Sequence, residues 1–460
     1  MSATLAETPV TPTRFAVPYL PEQAYRFDYP NGYTVVFVPK PGEVFNVSTW
    51  VKTGSIHEDD RINGISHFLE HLMFKGTTRC KPGEFDRAME SMGAIINAAT
   101  WKDFTFYYVT GPNDPAGENF ATVLDLHADM MLQSTLPEDE IGPQFDPADE
   151  NYDGPKRERC VVIEEINMYK DQPWTKVYNT INNMMYPEGH PYRRDVIGTR
   201  EIVATVPRET LEGYYKQWYA PATMTTIVVG DFDVATLEPQ VRKAFAFAAD
   251  AKASAPMTQK LSVSTSGGRY KVITGDYQTA FFIVGYHGPD GDDLKSTLAL
   301  DVASYVLGES RSSRLVQSLV EKPETPVFNF VTCGQQTFQL GNVFYIQGNF
   351  IAPTPDEPLA QLNAELTTFL DTDPITQDEF MRAMKKLKVA FATGAETAAG
   401  IADDIGETLT VIGDITHYSG YLQALESLTL QDVRDAAKQF LSLDKAYTTV
   451  LVNGPTTDTP

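Results

Sequence analysis

The 460-residue chain has only three cysteines, Cys80, Cys160 and Cys333, and no C-x-x-C pair. So sparse and scattered a set excludes a disulfide framework and a thiolate metal site. Positive charge is also short. Against 61 Asp and Glu stand 37 Lys and Arg, for a formal net charge of −24. Nucleic acid, whose phosphates need Lys and Arg, is therefore not an expected partner. The balance is compatible with basic peptides, and equally with plain solubility. No apolar run reaches the roughly 20 residues of a bilayer span. The opening stretch MSATLAETPVTPTRFAV lacks the charged and apolar regions of a secretory signal. It reads as a flexible Thr/Pro arm over residues 1–20. The compartment stays open: a soluble chain, cytoplasmic or, in a bacterium, periplasmic.

Hydrophobic residues are ample for folded interiors, and the length suggests more than one domain. YTVVFVP and FNVSTWVKTG read as strands. A helix follows from about Asn63 to Gly76, and a second in KPGEFDRAMESMG. AIINAAT and FTFYYVTG return to strand. Helical patterns then run through FATVLDLHADMMLQ, KRERCVVIEEINMYK and RETLEGYYKQWY before the strand TMTTIVVGDF. Residues 248–266, rich in Ala, Ser and Lys, read as a linker. Beyond it the plan recurs. Both halves end on Lys-Gln-aromatic, a short spacer, then Thr-Thr and an apolar strand, with Thr225 and Thr448 in equivalent places. A duplicated α+β unit is expected, with domains over 21–247 and 267–460.

Only the first half carries GISHFLEHLMFKGT, residues 64–77. On a helix, positions i and i+4 project from one face, so His67 and His71 can present imidazole nitrogens to one metal ion. A catalytic zinc takes a third protein ligand and keeps one position open. Glu70, beside the second histidine, is placed to take a proton from the attacking water. A buried histidine is more often a satisfied core residue. Two of them flanking an acid inside FLEHLMF fit that reading poorly, since an unpartnered buried Glu70 would cost several kcal/mol. The third ligand is sought in ERCVVIEEINMYKDQP, a helix with Glu158, Glu164 and Glu165. Glu158 and Glu165 are two turns apart and share a face, whereas Glu164 points to solvent. Zinc is the default metal, although manganese or cobalt would accept the same donors.

These segments resemble the pitrilysin/insulinase family of zinc peptidases with the inverted His-x-x-Glu-His motif. GISHFLEHLMFKGT is similar to the family hallmark, GAIINAATWKDFTFYYV to its Asn-Ala plus Thr segment, and ERCVVIEEINMYKDQP to its distal glutamate helix. GHPYRRDVIGTRE is family-like too. The resemblance implies one Zn2+ per chain on His67, His71 and Glu165, with Glu70 as general base. It implies that Glu158 orients His71, and that Asn97, Ala98 and Ala99 form an edge strand on which peptide substrate adds as a further strand. It also implies an α+β fold of two homologous domains, each a mixed, mostly antiparallel sheet covered by helices, in a clam-shell dimer around a chamber. The spacing from His71 to Glu165 exceeds the family's usual one, the excess lying in the acidic loop 142–155.

One departure concerns the second half. Self-sufficient members carry an Arg and a Tyr there that hold the substrate carbonyl and the oxyanion. In this chain those positions fall on Val320 and Val327, and Arg314 belongs to the preceding SSRL. The family's two-subunit processing peptidases divide the work, and this chain resembles their zinc-bearing subunit. A heterodimer with a homologous subunit lacking the zinc motif is therefore expected. Two rivals are a self-sufficient homodimeric zinc peptidase and a noncatalytic core-type assembly subunit. The latter predicts a damaged motif. A structural zinc protein predicts a fourth protein ligand, which the sequence does not supply.

Overall fold

The computed structural model describes residues 10–114, 116–150, 152–246, 269–324 and 326–455. The expected linker, 248–266, lies outside the described residues. Two sheets organise the chain. The first contains β1 (Thr13–Ala16), β2 (Gln23–Asp28), β3 (Thr34–Pro39), β4 (Val44–Val51), β5 (Ile95–Thr100), β6 (Thr105–Pro112) and β7 (Met224–Gly230). Their order is β1-β2-β3-β7-β4-β6-β5. Every pairing is antiparallel except β3 with β7. The second contains β8 (Tyr270–Gly275), β9 (Ala280–His287), β10 (Phe328–Gln336), β11 (Val343–Phe350) and β12 (Tyr447–Asn453), ordered β10-β11-β9-β12-β8. Its one parallel pairing is β12 with β8.

Matched in chain order, β3-β7-β4-β6-β5 and β8-β12-β9-β11-β10 are the same topology. In both, the last strand inserts between the first two and runs parallel to the first. Thr225 lies opposite Thr34 in one sheet, and Thr448 opposite Tyr270 in the other. The duplication seen in the sequence is thus a duplication of strand order.

Alternation along β4 divides its residues between two faces. Phe45, Val47 and Val51 enter the first core with Phe68, Leu69 and Leu72. Trp50 faces the other way and stacks on Phe106, ring centroids 4.2 Å apart. The second core gathers Phe282, Val284, Leu300, Phe344 and Val450.

The compact units are not continuous in sequence. One comprises 10–167, 194–246 and 392–419, and the other 168–193, 269–391 and 420–455. The helix Pro173–Met185 thus groups with the second sheet, where a Cβ on Gly285 would lie 2.6 Å from Met185 Sδ. The helix Ala398–Glu407 groups with the first, its Gly406 directly against the Trp50 indole. Neither exchange is visible in a linear pattern, because an amphipathic helix does not record which sheet it covers. The N-terminal arm also differs from expectation: Thr13–Ala16 is the edge strand of the first sheet. With Phe15 its one buried residue, it leaves no alternation to read.

Candidate metal centre

The helix α1 spans Ile65–Met73, shorter than the apolar pattern suggests. It follows Gly64 at φ 95° and is closed by Gly76 at φ 117°, both in the left-handed region that glycine tolerates. Ile65, Phe68, Leu69, Leu72 and Met73 are buried in the first core. That face fixes the helix rotation, and the opposite face presents His67, Glu70 and His71.

The helix Glu158–Lys170 stands across from them. Cys160, Val162, Ile163 and Ile166 are buried, Glu164 is exposed, and Glu158 and Glu165 are half-buried. Glu165 Oε2 lies 3.6 Å from His67 Nε2 and 3.4 Å from His71 Nε2. Donor atoms of all three residues fall within 4.8 Å of one another. Two atoms bound to one tetrahedral zinc at about 2.1 Å are separated by roughly 3.4 Å. The trio therefore fits a zinc ion, with one position left for a non-protein ligand.

The two histidines are supported differently. His71 Nδ1 meets Glu158 Oε2 at 3.3 Å, and Lys75 Nζ meets the other Glu158 oxygen at 2.8 Å. The carboxylate thereby turns the imidazole so that Nε2 faces Glu165. His67 Nδ1 is buried with no hydrogen-bond partner among the described residues, so no acceptor behind the ring orients it as Glu158 orients His71. Burial, and then the charge of His71, push the His67 pKa down to about 4. Its lone pair is free at neutral pH. Burial also presses on His71, but Glu158, Glu70 and Glu165 together hold its pKa above the ordinary imidazole value. Burial would raise Glu158 too, yet His71 and Lys75 keep it below the usual carboxylate range.

Glu70 is raised by burial, against a hydrogen bond from Thr100 Oγ1 at 2.5 Å. Thr100 closes β5, which pairs with β6 and forms the edge of its sheet. Asn97 and Ala99 are exposed, while Ala98 packs against the first core. The structure thus brings His67, Glu70, His71, Glu158 and Glu165 together, with Asn97–Ala99 on the strand that carries the Glu70 partner. Sequence reasoning assigns no role to Thr100, Lys75 or Glu58. The threonine of the Asn-Ala segment names no partner in sequence, and a lysine one turn past His71 carries no distinctive pattern.

In the second unit, Val320 and Val327 pack as hydrocarbon against the core. Arg314 is committed elsewhere: its guanidinium grips Glu379 at 2.7 and 2.8 Å and also donates to the carbonyls of Asp373 and Pro374.

Residues 34–199 match the family described as Insulinase (Peptidase family M16), and residues 205–387 match the Peptidase M16 inactive domain. The chain belongs to the insulinase family of peptidases. It is 28% identical over 433 residues to the uncharacterized zinc protease YmxG of Bacillus subtilis, covering 93% of this chain and 98% of that one. It is 28% identical over 430 residues to the zinc protease PqqE of Helicobacter pylori, covering 92% and 91%. Among solved structures, a protease from Helicobacter pylori superposes with TM-score 0.83 at 27% identity, over 94% of this chain and all of that one. A chain of complex III from Candida albicans shares the fold at TM-score 0.73 and 15% identity, over 93% and 95%.

Proposed function

We propose that this insulinase-family chain is a zinc metalloendopeptidase acting on peptides or unfolded polypeptides. The observation that carries the reading is the convergence of His67 Nε2 and His71 Nε2 on one oxygen of Glu165. Relatives named as zinc proteases support it. His67, His71 and Glu165 hold the ion, and the open fourth position separates this from a structural zinc site. When bound, the ion supplies Lewis-acid polarisation of the scissile carbonyl and acidifies the attacking water.

The chain's own groups do the rest. Glu70 takes a proton from water at its carboxylate and returns it to the leaving amine. Thr100 holds that carboxylate in one rotamer. Glu158, tied down by Lys75, keeps His71 Nε2 aimed at the ion. The free edge of β5 at Asn97, Ala98 and Ala99 receives substrate backbone as an added strand, a mode that reads extended shape more than side chains.

The chain is the catalytic subunit of a heterodimer. The support is what stands at Val320 and Val327, which offer no side-chain donor for an oxyanion, and the engagement of Arg314 with Glu379. Loss of one such donor costs about 3–4 kcal/mol of transition-state stabilisation. The zinc-loaded chain is therefore expected to cleave a quenched peptide library slowly. A homologous subunit lacking the zinc motif but bearing Arg and Tyr restores the rate by about a hundredfold or more. Full activity of the chain alone would instead establish a self-sufficient homodimeric enzyme. Zinc binding with no cleavage in either state would favour an assembly role.

A further inference from the structure

The start of α1 lacks the usual means of satisfying its first N–H groups. The N-cap is Gly64, and no side chain can stand there. A Cβ on Gly64 would lie 2.6 Å from Gly198 Cα and 2.8 Å from the Ile197 carbonyl. The acceptor comes from Glu58, six residues earlier, which is 4% exposed. Its Oε2 accepts from Gly64 N at 2.8 Å and Asn63 Nδ2 at 2.9 Å, and its Oε1 accepts from Ser66 N at 2.8 Å. Donors occupy both oxygens at the positive end of a helix and favour the charged form, against the burial that raises the Glu58 pKa above the ordinary carboxylate value.

The chain leading into Glu58 is tied to the residues that follow β5, since Ile56 N donates to the Lys102 carbonyl at 2.8 Å. Burial pulls the Lys102 ammonium down to about 8, against Asp195, Asp103 and Glu58, which favour its charge. Lys102 follows Thr100 by two residues and donates to the Arg194 carbonyl at 2.9 Å. Asn63 Nδ2 also donates to the Asp195 carbonyl at 2.8 Å. The beginning of α1, the residues just past β5 and the 194–198 loop are thus joined around Glu58 through Asn63, Ile56 and Lys102. His67 is one residue past the Ser66 N–H that Glu58 holds, and Glu70 is one turn further.

We infer that Glu58 is a positioning residue for the metal centre, fixing the height of α1 against β5 and so the placing of His67, His71 and Glu70. This rests on the zinc-peptidase reading. In Glu58→Gln an amide NH2 must face at least one of the three N–H donors, at unchanged volume. Glu58→Asp keeps the charge but withdraws it by one methylene. It stands in if the amide variant does not fold.

The test measures zinc affinity by chelator competition, the d–d spectrum of the cobalt-substituted protein, and kcat and KM for one peptide. Zinc affinity of the folded variant is expected to fall about tenfold or more, as for groups that orient metal ligands. The cobalt bands shift and kcat falls while KM is unchanged. A folded variant with wild-type zinc affinity, cobalt spectrum and kcat, whatever its thermal midpoint, overturns the inference. Failure of the wild-type chain itself to bind zinc would sink the peptidase reading instead, so the two failures are distinguishable.

Discussion

At the scale of single residues, His71 shows how a side chain with two nitrogens is given one job. Glu158 takes Nδ1, so only Nε2 is left for the shared oxygen of Glu165. Glu158→Ala should therefore keep the fold but weaken zinc binding by about 10–100-fold, measured by chelator competition. His127 is the opposite case, a histidine used for packing. It is fully buried, its Nε2 bonds Thr49 Oγ1 at 2.9 Å, and burial drives its pKa down to about 3. The unfolded chain binds a proton below about pH 6.5 that the folded chain refuses, so this residue costs stability as the pH falls from there. Between pH 6.5 and 5 the loss should approach about 1.4 kcal/mol per pH unit. In His127→Gln, urea unfolding should show a shallower decline over that window. An identical decline in both proteins would count against the assignment.

At the scale of elements, what could be read from sequence depended on whether a feature was local. The existence of α1 and its stop near Gly76 follow from apolar spacing and a breaker glycine, and Glu158 with Glu165 on one face from a two-turn separation. Thr100 on Glu70 is a tertiary pairing between elements with no shared periodicity, and Glu58, though only six residues before Gly64, caps α1 from outside the usual N-cap position. The exchanged helices are the clearest case. Ala398–Glu407 lies far from the first sheet in sequence, and its place is set by Gly406, whose Cβ would fall 2.2 Å from Trp50 Nε1. Gly406→Ala should destabilise the protein by about 1–3 kcal/mol through overpacking, read as a lower urea midpoint. Unchanged stability would mean that the contact is loose.

At the scale of the whole molecule, one strand order occurs twice, and among the described residues only the first copy gathers a His-His-Glu trio. The second sheet repeats the strand order of the first, but its helix Leu294–Leu307 carries no His-x-x-Glu-His. The proposed heterodimer assigns the missing oxyanion donors to a partner. It leaves to this chain the ion, the base and the edge strand. The most direct test of that assignment is zinc-dependent peptide hydrolysis by the purified chain beside Glu70→Gln, with bound zinc quantified in both. The account predicts one zinc per chain in both proteins, with slow cleavage that Glu70→Gln abolishes without releasing the metal. Cleavage that survives Glu70→Gln, or a chain that binds no zinc, would contradict it.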